Sequence, residues 1–223
     1  MEGALERAVA RFDDDSATAA QVRYQLGFDG AAERARRLCL RLALAVAEAE
    51  GGRPEDALDV ACAVEIVYQF SLVHDDIEDG ASTRAGRDAV WSKFGLAHAI
   101  NAGDALCAVA YLALLEGSAP RPPEQTVAMT RVLLEAQLAM CGAQARTIAG
   151  VAIDAKAALL GAACELGAVS AGAGAERASA YARLGRAYAT ACTTAAAEAD
   201  ALAASLGLDR DGRVRSLFAH PPG

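Results

Sequence analysis

The sequence predicts an all-α protein, built as a bundle of long helices. The first observation is composition, because 57 of the 223 residues are alanine and only 5% are aromatic. Alanine is the strongest helix former and is depleted from strands. The second is periodicity, since apolar residues recur at helical spacing between sparse glycine and proline breaks. No linker divides the chain, so we expect one domain over 1–223 with a short tail at about 208–223.

Glycine, proline and acidic residues set the boundaries of the predicted helices. The acidic run at 13–15 separates the first two, Gly51-Gly52 ends the third, and a loop at Gly80–Gly86 follows the fourth. Prolines between 120 and 123 open the seventh. Helices are therefore predicted at 3–11, 17–26, 32–50, 55–79, 89–94, 97–116, 124–149, 152–171 and 175–207.

Charge and cysteine usage exclude several functional classes. The formal net charge is −8, which lacks the basic surface that nucleic-acid binding requires. The N-terminus has neither the basic nor the apolar region of a signal peptide, and no run of 18 apolar residues is free of charge, so we expect no leader and no membrane-spanning helix. The six cysteines lie far apart without a Cys-x-x-Cys pair, which is typical of buried thiols in a cytoplasmic protein.

The densest chemistry lies in the acidic cluster at residues 74–79. Asp75 and Asp79 are one helical turn apart, so their like charges destabilise the helix unless a cation offsets them. Mg²⁺ suits such a pair, since it prefers carboxylate oxygens together with substrate phosphates. The alternative is a solvated acidic helix end, because this spacing also arises by chance. His74 is either a ligand or, as we expect, a helix-packing residue.

The residues after the cluster extend the pattern. An Arg-x-Gly begins at Arg84, Lys93-Phe94-Gly95 follows, and then Asn101-Ala102-Gly103-Asp104. This stretch, Ser71–Leu106, resembles the first aspartate-rich region of trans-isoprenyl diphosphate synthases, the polyprenyl synthetase family, whose members usually extend further at the C-terminus. The resemblance implies the isoprenoid synthase fold, with long helices around a central cavity, and Mg²⁺ as cofactor.

The resemblance also implies a site for an allylic prenyl diphosphate. Asp75 and Asp79 match the family's metal-binding aspartates, and Asp76 lies beside them as a further catalytic candidate. Arg84 and Lys156 match basic residues that contact the allylic diphosphate. Gln144 falls where the family usually has a diphosphate-binding glutamine.

On the side of the second substrate, isopentenyl diphosphate, the sequence departs from the family. The expected Gly-Lys-x-x-Arg falls near residues 35–39, where Arg36 replaces the lysine and Cys39 the arginine. Tyr68 stands in place of a histidine, and Ala85 in place of the second arginine of Arg-Arg-Gly. A diphosphate needs several charge-assisted hydrogen bonds, each contributing about 1.5–3 kcal/mol. We therefore expect little affinity for a second diphosphate.

The second aspartate-rich motif is also altered. It aligns with residues 194–200, where Asp200 alone matches and Glu198 is a possible substitute. Three functions fit these departures. The first, which we expect, is a terpene-synthase-like enzyme that ionises an allylic prenyl diphosphate to a hydrocarbon or alcohol. The second is a transferase that elongates the prenyl chain or prenylates another acceptor. The third is a non-catalytic subunit of a heteromeric synthase.

Three further residues are candidates for the wall of the cavity. Tyr68 and Phe70 precede the aspartates on the same predicted helix, where Tyr68 either limits chain length, stabilises a cation or packs in the core. Asp104 is expected to be buried and hydrogen-bonded beside the site. Dimerisation is typical of the family, so we expect a homodimer, with a heteromer as the alternative.

Overall fold

A computed structural model describes residues 1–10, 16–29, 37–151, 154–189, 193–208, 214 and 216, without the side chains of 193–198. The all-α prediction is confirmed. The helices are α1 (Glu2–Val9), α2 (Ala17–Gln25), α3 (Leu38–Ala49), α4 (Leu58–Glu78), α5 (Val90–Phe94), α6 (Leu96–Leu115), α7 (Pro123–Ile148), α8 (Ala157–Ser170), α9 (Ala175–Ala189) and α10 (Thr193–Ser205). A 3₁₀ turn, Pro54–Ala57, leads into α4, and strands β1 (Thr83–Arg84) and β2 (Arg87–Asp88) follow it.

Most predicted boundaries hold within a few residues, and the exceptions have local causes. The predicted helix at 152–171 begins only at Ala157, after the Asp154 carboxylate has accepted a hydrogen bond from the Lys156 backbone N–H at 2.9 Å. The predicted helix at 175–207 is two helices, α9 and α10. The start of the predicted helix at 32–50 and most of the predicted tail lie outside the described residues.

Helix α4 forms the centre of the molecule. It packs against α3, α6 and α8, and its buried residues lie on nearly every side of the helix. A helix that is apolar all round is stable only inside a core, which is where α4 lies. Its neighbours contribute fully buried side chains such as Leu42, Leu106 and Leu159. One continuous hydrophobic cluster therefore runs through the described helices.

Small residues allow these helices to approach closely. Gly103 of α6 faces His74 of α4, and a Cβ atom built at Gly103 would lie 2.2 Å from His74 Nε2. Such an approach is open only to glycine, because a methyl group there would overlap the imidazole ring. This crossing fixes the position of His74, the residue directly before Asp75.

The chain reverses direction after α4 in two tight turns. Gly80, at φ +63°, follows the last turn of α4, and the N–H groups of Gly80 and Ala81 bond to the carbonyls of Ile77 and Asp76. This pairing is a Schellman motif, which ends a helix and redirects the chain. Strands β1 and β2 then form a two-residue hairpin with Ala85 at φ +51°. The sequence predicted only a loop here, because Ala-Gly is not the favoured Asn-Gly turn.

Two described helical segments are long and apolar enough to span a membrane by length and composition alone. The first, Pro54–Glu78, has 83% of its apolar window buried inside the protein and is its core helix. The second, α6, has 44% of its window buried, so one of its faces leaves apolar side chains in solvent. Two such helices are weak evidence for a span, because a buried core helix passes the same test, so the absence of a spanning helix remains a prediction.

Candidate active site

The C-terminal end of α4 presents three carboxylates in different environments. Asp76 is turned inward, with 2% of its side chain exposed, whereas Asp75 is 13% exposed and Asp79 lies in solvent at the end of the helix. Asp75 and Asp79 are separated by one turn and therefore share a face of the helix. Of the predicted metal pair, Asp79 is in solvent and Asp75 is largely covered, while the third carboxylate, Asp76, points into the protein.

The hairpin returns Arg84 over the buried carboxylate. The guanidinium Nε donates to Asp76 Oδ1 at 2.8 Å, and the hairpin places Arg84 above the end of α4. Partial burial disfavours the Arg84 charge, but the hydrogen bond and charge of Asp76 outweigh this effect and raise the Arg84 pKa. Asp76 thus fixes the Arg84 guanidinium beside the C-terminal end of α4.

Lys156 completes a second ion pair from a distant part of the chain. Its Nζ atom lies 2.9 Å from Asp75 Oδ2, and its side chain is 30% exposed. Lys156 directly precedes α8, which packs against α4 and α3. The contact therefore joins residues that are far apart in the sequence. Both are residues that the sequence predicted for the site.

Two aromatic rings lie below the carboxylates on α4. Tyr68, two turns before Asp75, is buried, and the Lys156 ammonium lies 5.7 Å from the centroid of its ring. Burial raises the pKa of the Tyr68 hydroxyl, which stays protonated. Phe70 is buried as well and packs edge-on against His74 at 4.7 Å between centroids. His74 is accordingly a packing residue, as expected, and its Nε2 atom has no hydrogen-bond partner among the described residues.

Asp104 and Gln144 do not join this group. Asp104 was expected to be buried and paired, but 69% of its side chain is exposed and its Oδ1 atom lies 3.9 Å from His74 Nε2, beyond hydrogen-bond distance. That expectation was wrong, because the adjacent Gly103 takes the position against His74 of α4 and the Asp104 carboxylate extends into solvent. Gln144 is half-buried on α7, and no described contact joins its amide to the aspartates.

At the expected second diphosphate pocket, the residues that the structure describes are buried, uncharged or already paired. Cys39 is fully buried in α3, and Ala85 forms the tip of the hairpin. Arg37 is buried as well, and its guanidinium contacts the Glu2 carboxylate at 3.1 Å and the Leu26 carbonyl. Arg36 and Cys192 lie outside the described residues, as do the side chains aligned with the second aspartate-rich motif apart from those of Ala199 and Asp200. The Asp200 carboxylate accepts a hydrogen bond from the Tyr188 hydroxyl at 3.5 Å.

A buried polar network that the sequence did not predict lies further along α4, towards its N-terminal end. Glu65 of α4 is fully buried and accepts hydrogen bonds from the Gln69 side chain at 2.8 Å and from the Leu40 backbone N–H at 3.3 Å. It thereby caps the first turn of α3, whose N–H groups have no partner within the helix. The available signal was the pair Glu65 and Gln69, four residues apart in an otherwise apolar helix.

The donor set fits a magnesium ion that is shared with a substrate. Asp75 and Asp79 offer carboxylate oxygens, which Mg²⁺ prefers. No cluster of three or more histidine, cysteine or acidic side chains suited to a metal is present in the described part of the chain. Mg²⁺ commonly uses one or two carboxylates and takes its remaining ligands from phosphates and water. The residues therefore suit a magnesium diphosphate rather than a metal held by protein alone.

Comparison with known proteins agrees with this geometry. The family model for polyprenyl synthetase matches residues 21–192. The chain belongs to the polyprenyl synthetase family. Within it, the chain is 38% identical over 143 residues to the (2E,6E)-farnesyl diphosphate synthase of Mycobacterium bovis, covering 59% of this chain and 39% of that protein. It is 33% identical over 156 residues to the farnesyl diphosphate synthase of Geobacillus stearothermophilus, covering 69% and 50%.

Solved structures of polyprenyl synthetases have the same arrangement of helices. The crystal structure of a polyprenyl synthetase from Streptomyces coelicolor superposes with a TM-score of 0.72 and 32% identity, covering 84% of this chain and 60% of that one. The isoprenoid synthase fold implied by the resemblance is thus confirmed. The chain spans only 39% and 50% of the length of the two curated relatives named above.

Proposed function

We propose that the chain is a magnesium-dependent trans-prenyltransferase acting on an allylic prenyl diphosphate. The observation that carries this proposal is the ion pair between Lys156 and Asp75, which places a basic residue against a predicted metal ligand. Leaving-group departure in this chemistry needs both a metal and fixed cations around the developing negative charge. The relatives that are named as prenyl diphosphate synthases support the same reading.

Each residue then has a defined part in the reaction. Asp75 and Asp79 would hold Mg²⁺, which would neutralise charge that develops on the leaving diphosphate. Arg84, fixed by Asp76, and Lys156 donate hydrogen bonds to that diphosphate. Gln144 remains a proposed diphosphate contact. The prenyl chain extends down along the face of α4 that Tyr68 shares with Asp75, seven residues further along the helix.

The transfer itself breaks the bond between the allylic carbon and the diphosphate oxygen, whose electron pair leaves with the diphosphate. The allylic carbocation is attacked by the double bond of the acceptor, and a proton is lost from the adduct. Fixed positive charges in a site sheltered from water are the main source of such rate enhancement. Isopentenyl diphosphate is the acceptor that chain elongation requires.

A second candidate function is ionisation without isopentenyl diphosphate, as in a terpene synthase. The observation that favours it is the composition of the second pocket. Arg37 is occupied by Glu2 and Leu26, and Tyr68 and Cys39 are buried without a charge of their own to offer an anion. The carbocation would then lose a proton, cyclise or react with water. Its products are a hydrocarbon or an alcohol.

Product analysis separates these functions. The protein is incubated with Mg²⁺ and geranyl, farnesyl or geranylgeranyl diphosphate, each with and without isopentenyl diphosphate. A longer diphosphate that appears only with isopentenyl diphosphate supports the transferase. A hydrocarbon or alcohol formed without it supports the second candidate. No turnover in any mixture contradicts both and favours a non-catalytic subunit, which a search for a partner chain would then test.

We also propose that the protein forms a homodimer through α6 and α7. On α7, Val127, Leu134, Leu138 and Ile148 are exposed at intervals of 7, 4 and 10 residues, a heptad-like stripe on the face opposite its core contacts. On α6, exposed apolar residues include Leu96, Ile100, Leu112 and Leu115. Exposed apolar side chains in this number are typical of an interaction site. Replacing Leu138, which is 75% exposed, by glutamate should convert a dimer to monomer in light scattering, whereas an unchanged mass would favour a different interface.

We propose the cytoplasm as the place where the protein acts. The cysteines that the structure describes are free thiols, at positions 39, 62, 107, 141 and 164. Burial raises the pKa of Cys62 to about 12, so this thiol is inert. Free thiols are typical of a reducing compartment.

A further inference from the structure

We propose that Lys156 is a resident counter-ion of Asp75, and that Mg²⁺ displaces it only when Mg²⁺ arrives together with a diphosphate. This inference rests on the proposed function. It concerns the order in which metal and substrate enter the site. It assigns to Lys156 an effect on metal binding that is opposite in sign to its effect on diphosphate binding.

The Lys156 ammonium group occupies the space next to Asp75 that a bound metal would need. Lys156 Nζ lies 2.9 Å from Asp75 Oδ2, at hydrogen-bond distance from an oxygen that the metal would need. Mg²⁺ binds carboxylate oxygens at about 2.0–2.1 Å, so both cations compete for one small region of space. The ammonium must move, or strong repulsion must be overcome, before Asp75 can bind a metal.

Basic side chains neutralise most of the negative charge of the site. Two of its three carboxylates have basic partners, since Lys156 pairs with Asp75 and Arg84 with Asp76. The five charged groups of Asp75, Asp76, Asp79, Arg84 and Lys156 sum to −1. Asp79 has no ion-pair partner among the residues that the structure describes. One net negative charge is weak attraction for a divalent cation, so the site without substrate holds Mg²⁺ poorly.

The two ion pairs differ in how easily they can separate. The Asp76 carboxylate is buried, and Arg84 holds it from a hairpin, so this pair stays in place. The Asp75 carboxylate is more exposed than that of Asp76, at 13% against 2%, and a lysine side chain has four flexible carbons. A diphosphate arriving with Mg²⁺ supplies both the missing metal ligands and a new anion for the released ammonium. Lys156 therefore opposes binding of the metal alone and favours binding of the metal with diphosphate.

Metal binding in the absence of turnover tests this inference. Mn²⁺, a paramagnetic substitute for Mg²⁺, is titrated into the parental protein and the Lys156→Gln variant, with free Mn²⁺ measured by electron paramagnetic resonance. Without diphosphate, Lys156→Gln should bind Mn²⁺ about three- to tenfold more tightly. With inorganic pyrophosphate present, it should bind the complex about tenfold more weakly, since one charge-assisted contact is lost.

Two controls make the result specific. Lys93→Gln changes the other lysine of the chain, which lies 3.9 Å from the centroid of the Tyr24 ring and away from the aspartates, and should bind Mn²⁺ as the parental protein does. Lys156→Arg retains the positive charge and should restore weak binding of the metal alone. Circular dichroism establishes that each variant is folded.

The outcomes separate this inference from the proposed function. If Lys156→Gln binds Mn²⁺ alone no more tightly than the parental protein, the counter-ion role is overturned. If the parental protein fails to bind Mn²⁺ even with pyrophosphate, the proposed function itself is overturned. A purely structural role for Lys156 would lower both affinities and would also contradict the inference.

Discussion

The Arg84 guanidinium places Nε and Nη2 at 2.8 and 2.7 Å from one carboxylate oxygen of Asp76. Asp76 is buried, and both contacts from Arg84 fall on its Oδ1 atom. Asp76 therefore positions the Arg84 guanidinium, whereas Asp75 and Asp79 are the proposed metal ligands. The acidic cluster therefore combines a structural ion pair, Asp76 with Arg84, and two proposed metal ligands on the same helix end.

The pair can be measured by a double-mutant cycle of Asp76→Ala and Arg84→Ala. Removing Arg84 leaves a buried, unpaired carboxylate, which should lower the free energy of unfolding by about 2–3 kcal/mol. Removing both groups should cost less than the sum of the single changes, with a coupling of about 1–2 kcal/mol in urea denaturation. The exposed pair Arg53 and Asp56 is the control and should show weaker coupling. Simple additivity at Asp76 and Arg84 would refute the pairing.

Gly103→Ala tests the close crossing of α4 and α6. The new methyl group would overlap the His74 imidazole and should destabilise the protein by about 1–3 kcal/mol in urea denaturation. His74→Ala in the same chain should recover part of that loss. Gly142→Ala is the matched control, because nothing lies within 4 Å of a Cβ at that exposed helical position. It should be neutral or more stable by up to about 1 kcal/mol, and an equal loss at both glycines would rule out the crossing as the cause.

Glu65→Gln should change how stability depends on pH. Burial raises the pKa of the Glu65 carboxyl above its ordinary 4.5, although the Gln69 amide and the Arg37 charge offset part of the rise. At pH values between 4.5 and the raised pKa, Glu65 keeps its proton in the folded chain and has lost it in the unfolded chain. The free energy of unfolding therefore falls as pH rises through this window, and the contribution is fully present below it.

The glutamine variant cannot titrate, so its stability should vary less between pH 4.5 and 8 in urea denaturation. Glu55→Gln, which removes an exposed carboxylate from the 3₁₀ turn before α4, serves as the comparison and should leave the pH profile unchanged. A Glu65→Gln profile that runs parallel to that of the parental protein would mean that Glu65 does not govern this pH dependence.

Restoring the residues expected at the second pocket tests why that pocket differs. The double variant Tyr68→His, Ala85→Arg adds two groups that can donate to an anion, and should lower the KM for isopentenyl diphosphate about tenfold or more. Ala85→Gly relaxes the positive φ of the hairpin without adding charge, and should leave that KM unchanged. The double variant is measured by steady-state kinetics, and an unaltered KM would show that these two positions do not limit acceptor binding.

Much of the fold followed from composition and helical periodicity, because long apolar segments such as α4 and α6 have few alternatives. The site was harder to predict. Spacing alone put Asp75 and Asp79 on one face, and resemblance added Arg84 and Lys156. Neither approach could show that Asp76 turns inward or that Asp104 turns outward, since these depend on the rotation of α4 and α6 about their axes. Glu65 was overlooked because its partner, the Leu40 N–H, belongs to a helix end whose position only the tertiary structure sets.

We propose that Asp75 and Asp79 bind an allylic diphosphate through Mg²⁺. This proposal is tested most directly by calorimetric binding of farnesyl thiolodiphosphate, whose carbon–sulfur bond resists ionisation. The parental protein should bind it with Mg²⁺ and lose it on chelation. Asp75→Asn should bind about a hundredfold more weakly, while Asp88→Asn, at an exposed carboxylate of β2, should match the parental protein. Tight binding that survives either chelation or the Asp75→Asn change would contradict the account.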